Sequence, residues 1–209
     1  MATAYPQASF LGVDVENGYP QSTMPVNCRF EYGDVLKGIT YPNCSFDYVH
    51  IRFMSSSFPT SRWPEVLSEA YRLTVPGGWV EIVEWDARYR HTGKVGDRVN
   101  ALARALFASC DVDPRMVTRL DGILTDVGFE QVDTRARDVP LGHWGGVIGE
   151  QSWRDTQALA SEVIARSINL DLIAPDEVED VMHAWEAEKE SMHTNVRFYA
   201  FTARRPYSS

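Results

Sequence analysis

Two acids that close short apolar runs are the residues whose type and position first suggest chemistry. In S-F-L-G-V-D-V-E-N-G-Y-P the run Phe10–Val13 ends at Asp14, and the chain then breaks at Asn17, Gly18 and Pro20. An acid ending a buried parallel strand is placed to receive the hydroxyls of a nucleotide ribose. An ionised carboxylate suits that task, since it accepts two charge-assisted hydrogen bonds at once. Taken alone, Asp14 reads equally as an exposed acid at a strand end. The second acid, Asp34, follows Gly33 after C-R-F-E-Y (Cys28 to Tyr32), where a turn aspartate is also common. Elsewhere the chemistry is sparse. His50, His91, His143, His183 and His193 form no pair at helical or zinc spacing, so no metal site is expected. No acid–base dyad or activated nucleophile stands out.

These acids need elements to hold them. A strand is expected at Phe10–Val13, another at Cys28–Tyr32, and a third at F-D-Y-V-H-I-R-F, Phe46 to Phe53. Trp63-Pro64 opens a helix with Val66, Leu67, Ala70 and Tyr71 on one face, expected to stop at Pro76-Gly77-Gly78. The strand W-V-E-I-V-E-W (Trp79 to Trp85) follows, then a helix from about Val95 to Ser109. Asp113-Pro114 supplies an N-cap and first-turn proline for a helix with Val117, Leu120, Ile123 and Leu124 inside, ended by Gly128. A strand from Phe129 to Arg137, a loop through V-P-L-G-H-W-G-G-V-I-G, and helices at Trp153–Ile168 and from Ala174-Pro175-Asp176 precede the closing strand Asn195–Ala203. Strands alternating with helices imply a mainly parallel sheet with helices on both faces, in one domain spanning 1–209.

Composition narrows the function classes. A formal charge of -9 opposes nonspecific nucleic-acid binding, which needs a basic surface, but leaves a small-molecule substrate open. No apolar run approaches a membrane span, and the start M-A-T-A-Y-P has no basic or apolar leader region. Cys28, Cys44 and Cys110, odd in number and unevenly spaced, fit reduced thiols of an intracellular protein. A cytoplasmic location is expected, with the nucleus compatible.

The order of these small signals carries more than any one of them. Asp14, Gly33-Asp34, F-D-Y-V-H-I-R, then E-A-Y-R-L-T-V-P-G-G-W-V-E-I-V-E, the late V-P-L-G-H-W loop and the closing F-Y-A-F-T-A-R-R-P resemble the class I, Rossmann-like S-adenosylmethionine-dependent methyltransferases. The likeness runs from about Phe10 to Pro206 and points to the filamentous-fungal branch that serves secondary metabolism. The resemblance implies that Asp14, with Val15, meets the ribose, and that Gly33, Asp34 and Val35 form the adenine pocket. It puts Arg52 at the cofactor end of the third strand, where a surface arginine is the alternative. Phe53, Met54, Glu84 and Trp85 would face the acceptor. His143 and Trp144 would belong to a helical lid or insert over residues 139–190, although a surface loop is the plainer reading of His143. His50 reads as a packed or helix-facing residue rather than a base.

One part of the family pattern is missing. No G-x-G-x-x-G or D-x-G-x-G precedes Asp14, and Met1–Gln7 is too short for a strand, a glycine turn and a crossover. The family's central first strand, which wraps the methionine half of the cofactor, is therefore expected to be absent. A start lost from the chain is the first explanation; a truncated non-catalytic relative and a chain completed by a partner are the others. Weak or absent binding of S-adenosylmethionine follows, as does a gap in the sheet, either closed by direct pairing or left open to self-association or a partner chain. The functions expected are methyl transfer to a small organic acceptor, a non-catalytic scaffold, or a pocket enzyme turned to rearrangement or cyclisation.

Overall fold

The short apolar run Phe10–Val13 gives β1 (Phe10–Asp14), which pairs in parallel with β2 (Cys28–Tyr32), Phe10 opposite Cys28 and Asp14 opposite Tyr32. The computed structural model describes residues 1–16 and 23–207, so the Asn17, Gly18 and Pro20 break lies outside the described residues. A second sheet holds β3 (Phe46–Arg52), β4 (Thr74–Arg90), β5 (Glu130–Pro140) and β6 (Asn195–Arg204) in the order β3-β4-β6-β5. β3 and β4 are parallel; β6 runs antiparallel to both neighbours. Among the described residues β1 pairs only with β2, and β3 only with β4, so each keeps one open edge.

The helices are α1 (Trp63–Leu73), α2 (Lys94–Ser109), α3 (Leu120–Val127), α4 (Gly146–Asn169) and α5 (Val178–Ser191). Apolar residues at helical spacing bury one stripe of α1 (Trp63, Val66, Leu67, Ala70) against Val80 and Ile82 of β4 and Phe201 of β6. Leu120 and Leu124 of α3 complete that core. A second cluster joins Tyr89, Leu141, Trp153, Trp185 and Val196 beside α2, α4 and α5. The opposite face of β3 and β4 stays partly open, with Tyr48 42% and Trp79 38% exposed.

Three boundaries differ from expectation. α1 ends at Leu73, before Pro76-Gly77-Gly78, and β4 runs through that tripeptide because Thr74 pairs with Phe46 and the Gly77 amide donates to the Arg205 carbonyl at 2.9 Å. The glycines remain necessary there: a Cβ on Gly78 would lie 2.8 Å from the Asp47 carbonyl oxygen. The Asp113 carboxylate caps the Arg115 amide at 3.1 Å as expected, but the turn it opens, Pro114–Arg119, is a 3-10 helix leading into α3. α4 begins at Gly146, seven residues ahead of Trp153.

Long-range side chains fasten the pieces. Arg72 of α1 donates to the carbonyls of Ile39 (3.0 Å) and Tyr41 (2.7 Å), and the Ile39 amide donates to Glu69 (2.7 Å), fixing the segment after β2 onto α1. Glu188 of α5 accepts the amides of Gly93 (3.1 Å), Val95 (3.0 Å) and Gly96 (2.7 Å). It thus satisfies donors that the first turn of α2 leaves without helical partners. Arg98 of α2 adds an ion pair to Glu177, just ahead of α5, at 3.1 Å.

Candidate functional site

Ligands of open α/β sheets gather at the carboxyl ends of parallel strands. At that end of β1, Asp14 is exposed, and one carboxylate oxygen accepts the Glu16 amide at 3.0 Å. The adjacent end of β2 is held against it: the Gly33 amide donates to the Asp14 carbonyl at 2.9 Å. Asp34 then caps the 3-10 turn Val35–Lys37, accepting the Leu36 amide at 3.0 Å and pairing with Lys37 at 3.0 Å. The hydrogen bond from Lys37 holds the Asp34 carboxyl below the usual carboxylate range. Asp14, Val15, Gly33, Asp34 and Val35 are therefore brought together by two neighbouring strand ends. A cleft of about 610 Å³ lies alongside, lined by Val13, Tyr32, Gly33, Asp34 and Ile39 among others. Val35 turns inward against the α1 core.

Arg52 ends β3 in the other sheet, exposed, with its guanidinium 5.1 Å from the centroid of the Phe53 ring. Phe53 has φ of 60° and packs its ring 5.7 Å from Phe198. Glu84 behaves differently from the acceptor-facing acid expected. It is fully buried, and its two oxygens accept the amides of Met54 (2.6 Å) and Ser55 (3.0 Å), while the Ser55 hydroxyl donates to the Trp85 carbonyl at 3.0 Å. Burial pushes the Glu84 carboxyl up, against the lowering pull of those hydrogen bonds. Glu84 is thus a clamp for the loop after β3, where Phe53 and Met54 sit. Trp85 faces the helices and lines an apolar pocket.

His143 and Trp144 lie apart from these groups, in a 3-10 turn (His143–Gly145) ahead of α4. Glu190 of α5 accepts both their amides (2.8 and 3.0 Å) and pairs with Lys189, whose side chain is buried 4.3 Å from the Trp153 ring centroid. Burial would raise the Glu190 carboxyl; Lys189 and the two amides outweigh it and lower it. His50, expected to pack or to face a helix, instead lies on the open face of β3, its Nδ1 3.0 Å from Glu81, because in-register pairing puts it beside that residue. The clamps by Ser55, Glu188 and Glu190 carried no local sequence signal, each being a contact made far along the chain.

Parallel strand pairs β1-β2 and β3-β4, with acids at or just after the ends of β1 and β2, an antiparallel β6 and flanking helices, fit the class I Rossmann-like methyltransferase architecture. Comparison with known proteins bears this out. No family model matches the chain. It is 29% identical over 180 residues to methyltransferase str3 of Strobilurus tenacellus, covering 82% of this chain and 64% of that protein. It is 27% identical over 213 residues to N-methyltransferase verN of Clonostachys rogersoniana, covering 96% of this chain and 72% of that protein. Among solved structures, phosphoethanolamine N-methyltransferase 2 of Haemonchus contortus, in complex with S-adenosyl-L-methionine, superposes with a TM-score of 0.53 at 15% identity, over 94% of this chain and 43% of that one. By fold the chain resembles the class I S-adenosylmethionine-dependent methyltransferases, and by sequence it is similar to fungal methyltransferases. The match spans less than two thirds of the length of str3. Among the described residues no helix is long and apolar enough to cross a membrane.

Proposed function

We propose that this chain is the adenosine-binding and acceptor-binding portion of an S-adenosylmethionine-dependent methyltransferase acting on a small organic molecule. The observation that carries it is the joining of Asp14 to Gly33–Asp34 at two adjacent parallel strand ends, beside a cleft of about 610 Å³. Asp14 keeps a carboxylate oxygen for ribose hydroxyls. Asp34 can exchange its exposed Lys37 partner for an exocyclic amine. When bound, S-adenosylmethionine supplies an electrophilic methyl on a sulfonium. The protein's part is then to place an acceptor atom in line with it, and well-oriented reactants can lower a barrier by about 7–11 kcal/mol without an acid or base. Arg52, Phe53 and Met54 are the residues we assign to the reacting end, with the Glu84 clamp positioning the latter two, and Trp85 to the acceptor side. Residues 139–190 serve as a lid, His143 and Trp144 at its hinge.

No glycine-rich turn in this sequence addresses the methionine half. The chain alone therefore binds chiefly through adenosine. Calorimetry should find weak binding of S-adenosylmethionine, with adenosine within about threefold of it, since each missing hydrogen bond is worth ~1 kcal/mol net. Low-micromolar S-adenosylmethionine with much weaker adenosine would overturn the assignment.

A further inference from the structure

The second hydrophobic cluster is not fully packed. Between α2, α4, α5 and the end of β4 lies an apolar pocket of about 50 Å³, lined by residues that include Trp85, Tyr89, Phe107, Ala160, Ser167 and Trp185. Leu159, 41% exposed, belongs to the same lining and connects it to the surface. Among the described residues no charged side chain lines the pocket. Two of its residues hold buried polar atoms with no hydrogen-bond partner: the Ser167 hydroxyl, on a residue 1% exposed, and the Trp185 Nε1–H, on a residue 0% exposed. Buried polar atoms are nearly always paired, and each one left unpaired is costly.

Water is a poor answer to this arrangement. The volume would hold roughly three to five waters at ~10–15 Å³ each, and each would need two to four polar partners. The described lining offers these two unpartnered polar atoms, and the Tyr89 hydroxyl, within an otherwise apolar wall. An indole N–H only donates, and a serine hydroxyl can donate or accept, so one oxygen acceptor satisfies both. We propose that the pocket binds a small uncharged ligand, or the end of one, consisting of an apolar group smaller than a benzene ring and a single carbonyl or ether oxygen directed at Ser167 and Trp185. The size limit follows from the volume, about a third of a cavity that admits benzene (~150 Å³). The apolar part replaces water along Tyr89, Phe107 and Ala160.

The test uses protein labelled with 5-fluorotryptophan and two small probes, acetone and acetate, followed by fluorine NMR without any methyl donor. The ketone should shift the Trp185 resonance saturably and leave that of Trp79, on the open face of β4, unmoved. Acetate, of the same size but charged, should shift neither. Ser167→Ala should raise the ketone dissociation constant roughly fivefold, the loss of one hydrogen bond. Ala160→Phe should abolish the shift by filling the pocket. A non-saturating Trp185 response, equal responses to the two probes, or unchanged affinity in Ser167→Ala would each overturn the proposal. The serine variant, which removes one unpaired atom, keeps the test decisive even where the phenylalanine variant fails to fold.

Discussion

Glu84→Gln separates two opposing influences on a buried carboxylate. In the native protein each Glu84 oxygen meets one backbone amide, Met54 at 2.6 Å and Ser55 at 3.0 Å, in a site closed to solvent. A glutamine is the same size but has only one oxygen, so its amino group must point at one of those N–H donors. One buried donor is left unsatisfied, costing ~1–3 kcal/mol. Relief from burying a charge opposes this. The raised carboxyl of Glu84 says that burial outweighs the hydrogen bonds. The sign then follows: a group that holds its proton more tightly folded than unfolded stabilises the fold increasingly as pH falls from its raised value towards the ordinary glutamate range. Glutamine has no such response. The native protein should therefore gain stability relative to the variant on going from pH 8 to pH 5, the signed gap (native minus variant) widening, as measured by urea unfolding at each pH. At ~2–4 °C in melting temperature per kcal/mol for a chain of this size, thermal melts should show it too. A gap that narrows with acid would mean the two amides dominate, and the burial argument would be refuted.

The remaining predictions are briefer. Asp14→Ala should weaken adenosine binding by about 1–3 kcal/mol, the range for hydrogen bonds to a charged group, and calorimetry showing no change would remove Asp14 from the ribose site. Glu190 has a lowered carboxyl, so its contribution is present above the ordinary glutamate range and lost as pH falls through the lowered value; hydrogen exchange at the His143 and Trp144 amides should accelerate there, and Glu190→Gln should produce the same acceleration at neutral pH. His50→Gln, on an exposed face, should change stability by less than about 0.5 kcal/mol in urea unfolding. The open edges of β1 and β3 should support self-association or a partner chain; light scattering showing a monomer at high concentration, with both strands protected in hydrogen exchange, would contradict that.

Much of the fold was legible because its signals are local. The bounds of β2 coincide with C-R-F-E-Y, Asp113 announces its own cap, and Gly128 takes φ of 112° at the end of α3, where a left-handed residue is needed. The course of β4 was not legible, since Pro76-Gly77-Gly78 locally favours a break and only pairing with β3 and the Arg205 carbonyl keeps it in the sheet. The start of α4 is hidden in the sequence for a similar reason: Gly145, Gly146 and Gly149 disfavour a helix, yet Glu190 fixes the turn from which it starts. Within the site, Asp14 and Asp34 showed themselves as acids at strand ends. The clamp made by Glu84 did not, because strand alternation says which face a residue occupies but not which loop will fold over it.

The grip of Glu188 on the first turn of α2 has a consequence for motion. Its three amide bonds, with the Arg98–Glu177 pair beside them, make α2 and α5 a single rigid arm. Near its start α4 meets that arm where Trp153 packs against Trp185 and Lys189. Beyond that point Ala160 and Ser167 face the arm across apolar contacts, which slide without breaking directed bonds. Trp153 therefore ties the near half of α4 to the arm, and widening of the space beneath the helices should come from the far half of α4, where the pocket lining is apolar.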